Sequence, residues 1–173
     1  MALNDYEKQL VSNIQEHGWF CVSVINDQGP SFSYSVGFAE TLNAPEFIVF
    51  GMAPKMMHAM LWELFRALKG GASIPGDGDR IPGILSGYDC VARQVHADNI
   101  VPDYFNSAIW RWGDPASRGG RLRACQLFWP DLEQARFPWE PGCEPEVRAA
   151  QPLLYLPPKP KGLASRIRSL FRH

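Results

Sequence analysis

Phe32-Ser33-Tyr34-Ser35-Val36-Gly37-Phe38, followed six residues later by Pro45-Glu46-Phe47-Ile48-Val49-Phe50-Gly51, is the stretch whose reading decides the fold. In the first segment Phe32, Tyr34, Val36 and Phe38 alternate with small residues, the period-two pattern of a strand with one buried face. The second segment has an unbroken apolar middle, which predicts a central strand covered on both sides. Upstream, Trp19 to Ile25 is dense in aromatic and β-branched residues, and Asn26-Asp27-Gln28-Gly29-Pro30 is turn chemistry, so residues 19 to 38 read as a β-hairpin.

Working outward, Asn4 with Glu7 makes a helix start, and Tyr6, Leu10 and Ile14 form one apolar face that Gly18 ends, predicting a helix over about residues 5 to 16. After the third strand, Pro54 fits a first helical turn. Met57, Leu61, Leu64, Phe65 and Leu68 continue that helix as an apolar stripe to Gly70-Gly71. Residues 70 to 87, where Pro75 and Pro82 bracket Gly76-Asp77-Gly78-Asp79, read as a mobile loop before a strand at Tyr88 to Val95. A short helix from Pro102 carries Phe105, Ile109 and Trp112. A Gly- and Arg-rich loop follows, then a last strand at Leu122 to Trp129 and an irregular segment holding Phe137-Pro138-Trp139.

Tight hairpins outnumber helical crossovers, so the expected class is α+β, with a largely antiparallel sheet flanked by helices and closure into a barrel left open. At 173 residues and 46% hydrophobic the chain suits one domain. Residues 1–156 are taken as that domain and 157–173 as a proline-rich linker with a basic amphipathic tail. No apolar run approaches the ~20 residues that span a bilayer, and the start MALNDYEKQL lacks a secretory pattern, so a cytoplasmic location is expected.

The spaced signature of His17-Gly18-Trp19, the two strand segments quoted above, Gln126, Trp129-Pro130-Asp131, Phe137-Pro138-Trp139 and Gln151-Pro152 resembles the bacterial domain-of-unknown-function family 4262, over roughly residues 10 to 155. Ser35 and Phe38 stand where that family more often has Thr and Leu, conservative exchanges. The resemblance implies a fold and a bacterial origin, and no particular activity.

Charge is distributed unevenly. Lys159, Lys161, Arg166, Arg168 and Arg172 carry the tail, which has no acidic residue, and residues 1–158 are left with a formal charge of -6. Two acidic groups stand out: Asp77, Asp79, Asp89, Asp98 and Asp103, and then Asp131, Glu133, Glu140, Glu144 and Glu146 with Phe137 and Trp139 among them. Mixed acidic and aromatic surfaces make strong protein contacts and steer cationic partners. Asp77, Asp79, Asp131, Glu133, Phe137, Trp139, Glu140 and Glu144 are therefore candidate contact residues, and ordinary solvated surface is the plainer alternative. In the tail, Leu163, Ile167, Leu170 and Phe171 share one helical face. Arg166, Arg168, Phe171 and Arg172 are candidate contacts to a partner or an anionic membrane surface.

Catalytic patterns are weak. His17, His58 and His96 share no metal-ligand spacing, and Cys21, Cys90, Cys125 and Cys143 form no C-x-x-C pair, which suits reduced, mostly buried thiols. Glu40 and Glu46 flank a turn. Carboxylate-pair hydrolysis needs its two groups held about 5 to 9 Å apart in a cleft, so capping or solvated roles are expected for both. No phosphate-binding or dinucleotide fingerprint occurs. His17, Trp19, Tyr34 and Glu46 are the residues that could share a pocket if strand and helix end lie together.

The leading expectation is a non-enzymatic bacterial binding module, an immunity-type inhibitor that neutralises a basic, nuclease-like toxin, with no cofactor, no metal and no direct nucleic-acid contact. The alternatives are a flavin- or other small-molecule-binding β-barrel enzyme, and a membrane-surface adaptor acting through the tail.

Overall fold

The computed structural model describes residues 1–160. The sequence-predicted tail contacts Arg166, Arg168, Phe171 and Arg172 lie outside the described residues. Among the described residues six strands form one sheet: β1 (Phe20–Val24), β2 (Phe32–Val36), β3 (Glu46–Phe50), β4 (Arg80–Leu85), β5 (Tyr88–Gln94) and β6 (Ala124–Phe128). Their spatial order is β1-β2-β3-β6-β5-β4, and every pairing is antiparallel except β3 with β6. Among the described residues five α-helices accompany the sheet: α1 (Asp5–His17), α2 (Phe38–Leu42), α3 (Pro54–Lys69), α4 (Pro102–Trp112) and α5 (Pro145–Ala150). The class is α+β, as the sequence predicts. The sheet is open, with β1 and β4 as its two edges, so the barrel alternative does not hold.

Local chemistry explains the first helix. Asn4 accepts the Glu7 amide and Glu7 reaches back to the Asn4 amide, both at 2.8 Å, a reciprocal cap that satisfies two orphan donors. Gly18 ends the helix in the left-handed region at φ 89°. In α3, Pro54 opens the first turn, and Met57, Met60, Leu61, Leu64, Phe65 and Leu68 recur at helical spacing and are all buried.

Two apolar layers sandwich the sheet. On one side α3 packs on Phe47, Val49 and Leu127. On the other, Leu10 and Ile14 of α1 and Phe105 and Ala108 of α4 pack on Tyr34, Val36, Ile48 and Phe50. The strands β2, β3 and β6 are buried at every position, because both of their faces are covered. This alters the half-buried reading of β2. Ser33 and Ser35 are inside, and their hydroxyls are paired, Ser33 with Ser23 at 2.8 Å and Ser35 with Glu46 at 2.5 Å.

Further differences from expectation have simple causes. The segment read as a mobile loop contains β4, whose Pro82 and Gly83 disguise an irregular edge strand with a register shift between Ile81 and Leu85. Phe38, read as the end of β2, opens the five-residue α2 because Gly37 turns the chain at φ 111°. A Cβ at Gly37 would stand 2.9 Å from the Gly18 carbonyl oxygen, so glycine is required there.

Candidate functional site

Three places gather functional side chains: the turn at the start of α2, a groove beside β1, and the segment from Trp129 to Glu146.

Glu46 is 2% exposed at the first position of β3. Its carboxylate accepts from the Ser35 hydroxyl at 2.5 Å and from the main-chain amides of Gly37, Phe38 and Ala39 at 2.9, 3.2 and 3.1 Å. Burial raises its pKa to about 7, and the four donors pull the other way without cancelling that cost. A pKa near neutrality in a buried carboxylate is a common mark of a general base. Here all four donors belong to the chain itself and the side chain is buried, so a substrate would have to displace one of them to reach the carboxylate. Glu46 is a structural lock joining β2, α2 and β3. Its neighbour Glu40 is held by a two-pronged guanidinium contact from Arg111, at 2.9 Å on each oxygen.

The four residues read as a possible pocket do not converge. Tyr34 faces the α4 side, where its hydroxyl accepts the Ser107 amide at 2.9 Å, and Glu46 is enclosed in its lock. His17 and Trp19 do come together, in a groove of about 540 Å³ that Cys21 and Ser23 of β1 and His58, Ala59 and Trp62 of α3 also line. Trp19 itself is 4% exposed, with the His58 ring stacked on it at 5.6 Å and Trp62 at 6.2 Å. Trp62 and His58 were legible as α3 residues, and only the packing of Trp19 between helix and strand reveals them as one wall.

Burial disfavours the thiolate form of the cysteines. Burial pushes Cys21 and Cys125 up to about 11 and Cys90 to about 12, so they are protonated at neutral pH. Among the described residues no group of three or more His, Cys, Asp or Glu side chains is arranged to hold a metal ion.

The candidate contact residues divide into two groups. Asp131 is 1% exposed and Phe137 is also buried, so neither presents itself to a partner. Asp131 Oδ1 accepts the Gln134 amide at 2.7 Å, its own amide donates to Arg136 O, and Oδ2 has no partner among the described residues. The Gln134 amide holds this carboxyl below its ordinary range. Phe137 stacks on half-buried Trp139 at 5.2 Å, and Arg93 lies 5.1 Å above Trp139 and 3.7 Å above Tyr155. Asp77 anchors that guanidinium at 3.1 Å and caps the Gln94 amide, Asp79 accepts the Gly76 amide, and Glu140 accepts the Phe137 amide. These acids shape their own loops.

Glu133 and Glu144 remain, with Glu146 beside them. Repulsion from Glu133 first, then burial and the charges of Asp131 and Glu146, raises the Glu144 carboxyl above its usual value. The nearby guanidiniums serve main-chain oxygens instead, Arg136 that of Pro141 and Arg148 that of Glu140. Among the described residues none of Glu133, Glu144 and Glu146 is in an ion pair.

With this geometry in view, the match of residues 13–144 to the family described as "Domain of unknown function (DUF4262)" covers all of β1 to β6 and α2 to α4. The chain belongs to that family. No curated protein and no solved structure matches it. Among the described residues no helix is long and apolar enough to cross a membrane.

Proposed function

We propose that the protein is a non-enzymatic binding module for a basic protein, of the immunity type that covers a cationic, nuclease-like toxin. The observation that carries this reading is the acidic knot of Glu133, Glu144 and Glu146, in which the neighbouring charges raise the Glu144 carboxyl's proton affinity and, among the described residues, no member is in an ion pair. Gathering like charges costs stability in the free chain, and a partner's Lys or Arg would offset that cost on binding. The knot sits on a rigid base, because the Asp131 turn and the stacked Phe137 and Trp139 fix the segment beneath it. A preorganised charge cluster of this kind steers association more than it adds affinity.

The test is capture at low salt from a native bacterial lysate, comparing the unmodified chain with Glu133→Lys, Glu144→Lys and Glu146→Lys combined. A single basic protein held by the first and lost by the second, with binding that weakens as salt rises, is expected. Equal retention by both chains, or retention of nothing basic, counts against the proposal.

A further inference from the structure

A cavity of about 200 Å³ opens between the α2 turn, α4 and the chain leading into β6. Val36, Ala108 and Leu122 give it apolar walls, and each is otherwise buried. Trp112, at the end of α4, closes one side, its indole N–H donating to the Gly120 carbonyl oxygen at 3.0 Å. Drug-sized sites run to roughly 300–1,000 Å³, so this smaller space suits a compact organic molecule and admits no helix or strand.

Charged side chains line the same space, and all but one are already matched. Glu40 and Arg111 hold one another through two contacts of 2.9 Å, and Glu46 takes its donors from its own chain. Exposed Arg118 is the exception. Its Nε donates to the Trp112 carbonyl oxygen at 3.0 Å, and its guanidinium lies 5.6 Å from the centre of the Trp112 ring. Among the described residues it is in no ion pair, and its terminal nitrogens have no hydrogen-bond partner. The loop that carries it is tied down as well. Asp114 caps the 3₁₀ turn Pro115–Arg118 by accepting the Ala116 amide at 3.0 Å, and the Gly120 amide donates to the Pro115 carbonyl oxygen at 2.9 Å. A guanidinium whose stem is held offers a planar fork of donors, the geometry that fits a carboxylate.

We infer that this cavity binds a small organic monocarboxylate, whose acid group pairs with Arg118 while its apolar body lies against Val36, Ala108, Leu122 and Trp112. A bare inorganic anion fits less well. It leaves the apolar walls uncovered, and a multiply charged one would meet Glu40 and Glu46 in the same space. Residues 161–173 carry Lys161, Arg166, Arg168 and Arg172 and no acidic side chain, so their side chains bring no anion to Arg118. The cavity shares no residue with the acidic knot, so either site can fail without the other.

The experiment titrates benzoate, and separately cyclohexanecarboxylate, into the isotope-labelled full chain and follows its amide and indole N–H signals. Expected are saturable shifts centred on Gly37, Ala108, Leu122 and the Trp112 indole, with a dissociation constant on the order of 1 mM or tighter. Arg118→Ala should weaken binding about tenfold or more. Ala39→Leu, which fills the cavity from a partly exposed position of α2, should weaken it likewise, each variant keeping its fold by circular dichroism. Benzamide, the neutral analogue, should bind about tenfold or more weakly than benzoate. No saturable shift, shifts elsewhere, benzamide binding as tightly as benzoate, or undiminished binding by either variant would overturn the inference. So would inorganic phosphate that moves the same signals at lower concentration than benzoate, which would make the cavity a site for a bare anion.

Discussion

The Ser35 hydroxyl donates to Glu46 at 2.5 Å while accepting the Phe47 amide at 2.9 Å, so one small side chain serves two buried partners on the neighbouring strand. Ser35→Ala would strip an acceptor from a buried amide and a donor from a buried carboxylate, with nothing to replace either. A loss of about 2 to 4 kcal/mol is expected, read as a lower urea midpoint. A change under about 0.5 kcal/mol would show that water or a shifted neighbour takes over the hydroxyl's role.

Glu46→Gln tests the lock's polarity. A carboxylate can accept from all four donors, whereas an amide must turn its NH₂ toward two of them. A loss of about 2 kcal/mol or more is expected at pH 8, where the carboxylate is ionised. If Gln is as stable as Glu there, the four donors do not require an anion.

The same residue sets a pH dependence. Its folded pKa, raised by burial from 4.5 to about 7, lies above its unfolded value. Below the lower value both states hold the proton, and between the two only the folded chain does. Stability from this group is therefore complete under pH 4.5 and falls as pH rises through about 7, by about 3 kcal/mol in all. Unfolding midpoints of the unmodified chain minus those of Glu46→Gln should trace that descent. A difference flat from pH 4.5 to 8 would contradict it.

What could be read from residues alone follows a physical line. The helices α1 and α3 announce themselves through local signals, a cap and a 3.6-residue stripe, and both formed within a residue or two of expectation. The parallel pairing of β3 with β6 joins Phe47 to Cys125 across nearly half of the chain, and no local pattern encodes such a contact. Ser33 and Ser35 looked like a solvent face because alternation reports polarity, and a polar residue can be interior when its hydrogen bonds close inside. The pocket expected for His17, Trp19, Tyr34 and Glu46 needs strand and helix end to meet on one side, yet Glu46 and Tyr34 serve different sides of the architecture. A clue was present: Glu46 stands between Pro45 and an unbroken apolar run, where a solvated carboxylate does not belong. The acidic stretch misled in another way, since Asp131 and Phe137 belong to the interior of a turn whose outer carboxylates are Glu133 and Glu144.

Gly51 tests close packing between β3 and α5. Its φ of 82° disfavours any side chain, and a Cβ there would stand 2.7 Å from both the Cβ and the carbonyl oxygen of Ala150. Gly51→Ala should cost about 2 kcal/mol or more, combining left-handed strain with a backbone clash. Adding Ala150→Gly would recover part of it by removing the opposing Cβ, while the carbonyl contact and the strain persist. Full recovery in the double variant would mean that the methyl contact alone was responsible.

Glu144→Gln separates stability from binding at the acidic knot. Repulsion by Glu133, with Asp131 and Glu146 adding to it, already favours the neutral form of Glu144, so removing its charge should raise the melting temperature of the free chain. If the knot exists to meet a basic partner, the same change should slow association, and the slowing should shrink as salt increases. A variant that is more stable yet binds at an unchanged rate would leave the cluster's strain without a function. A variant that is less stable would show that Glu144 holds its own segment together.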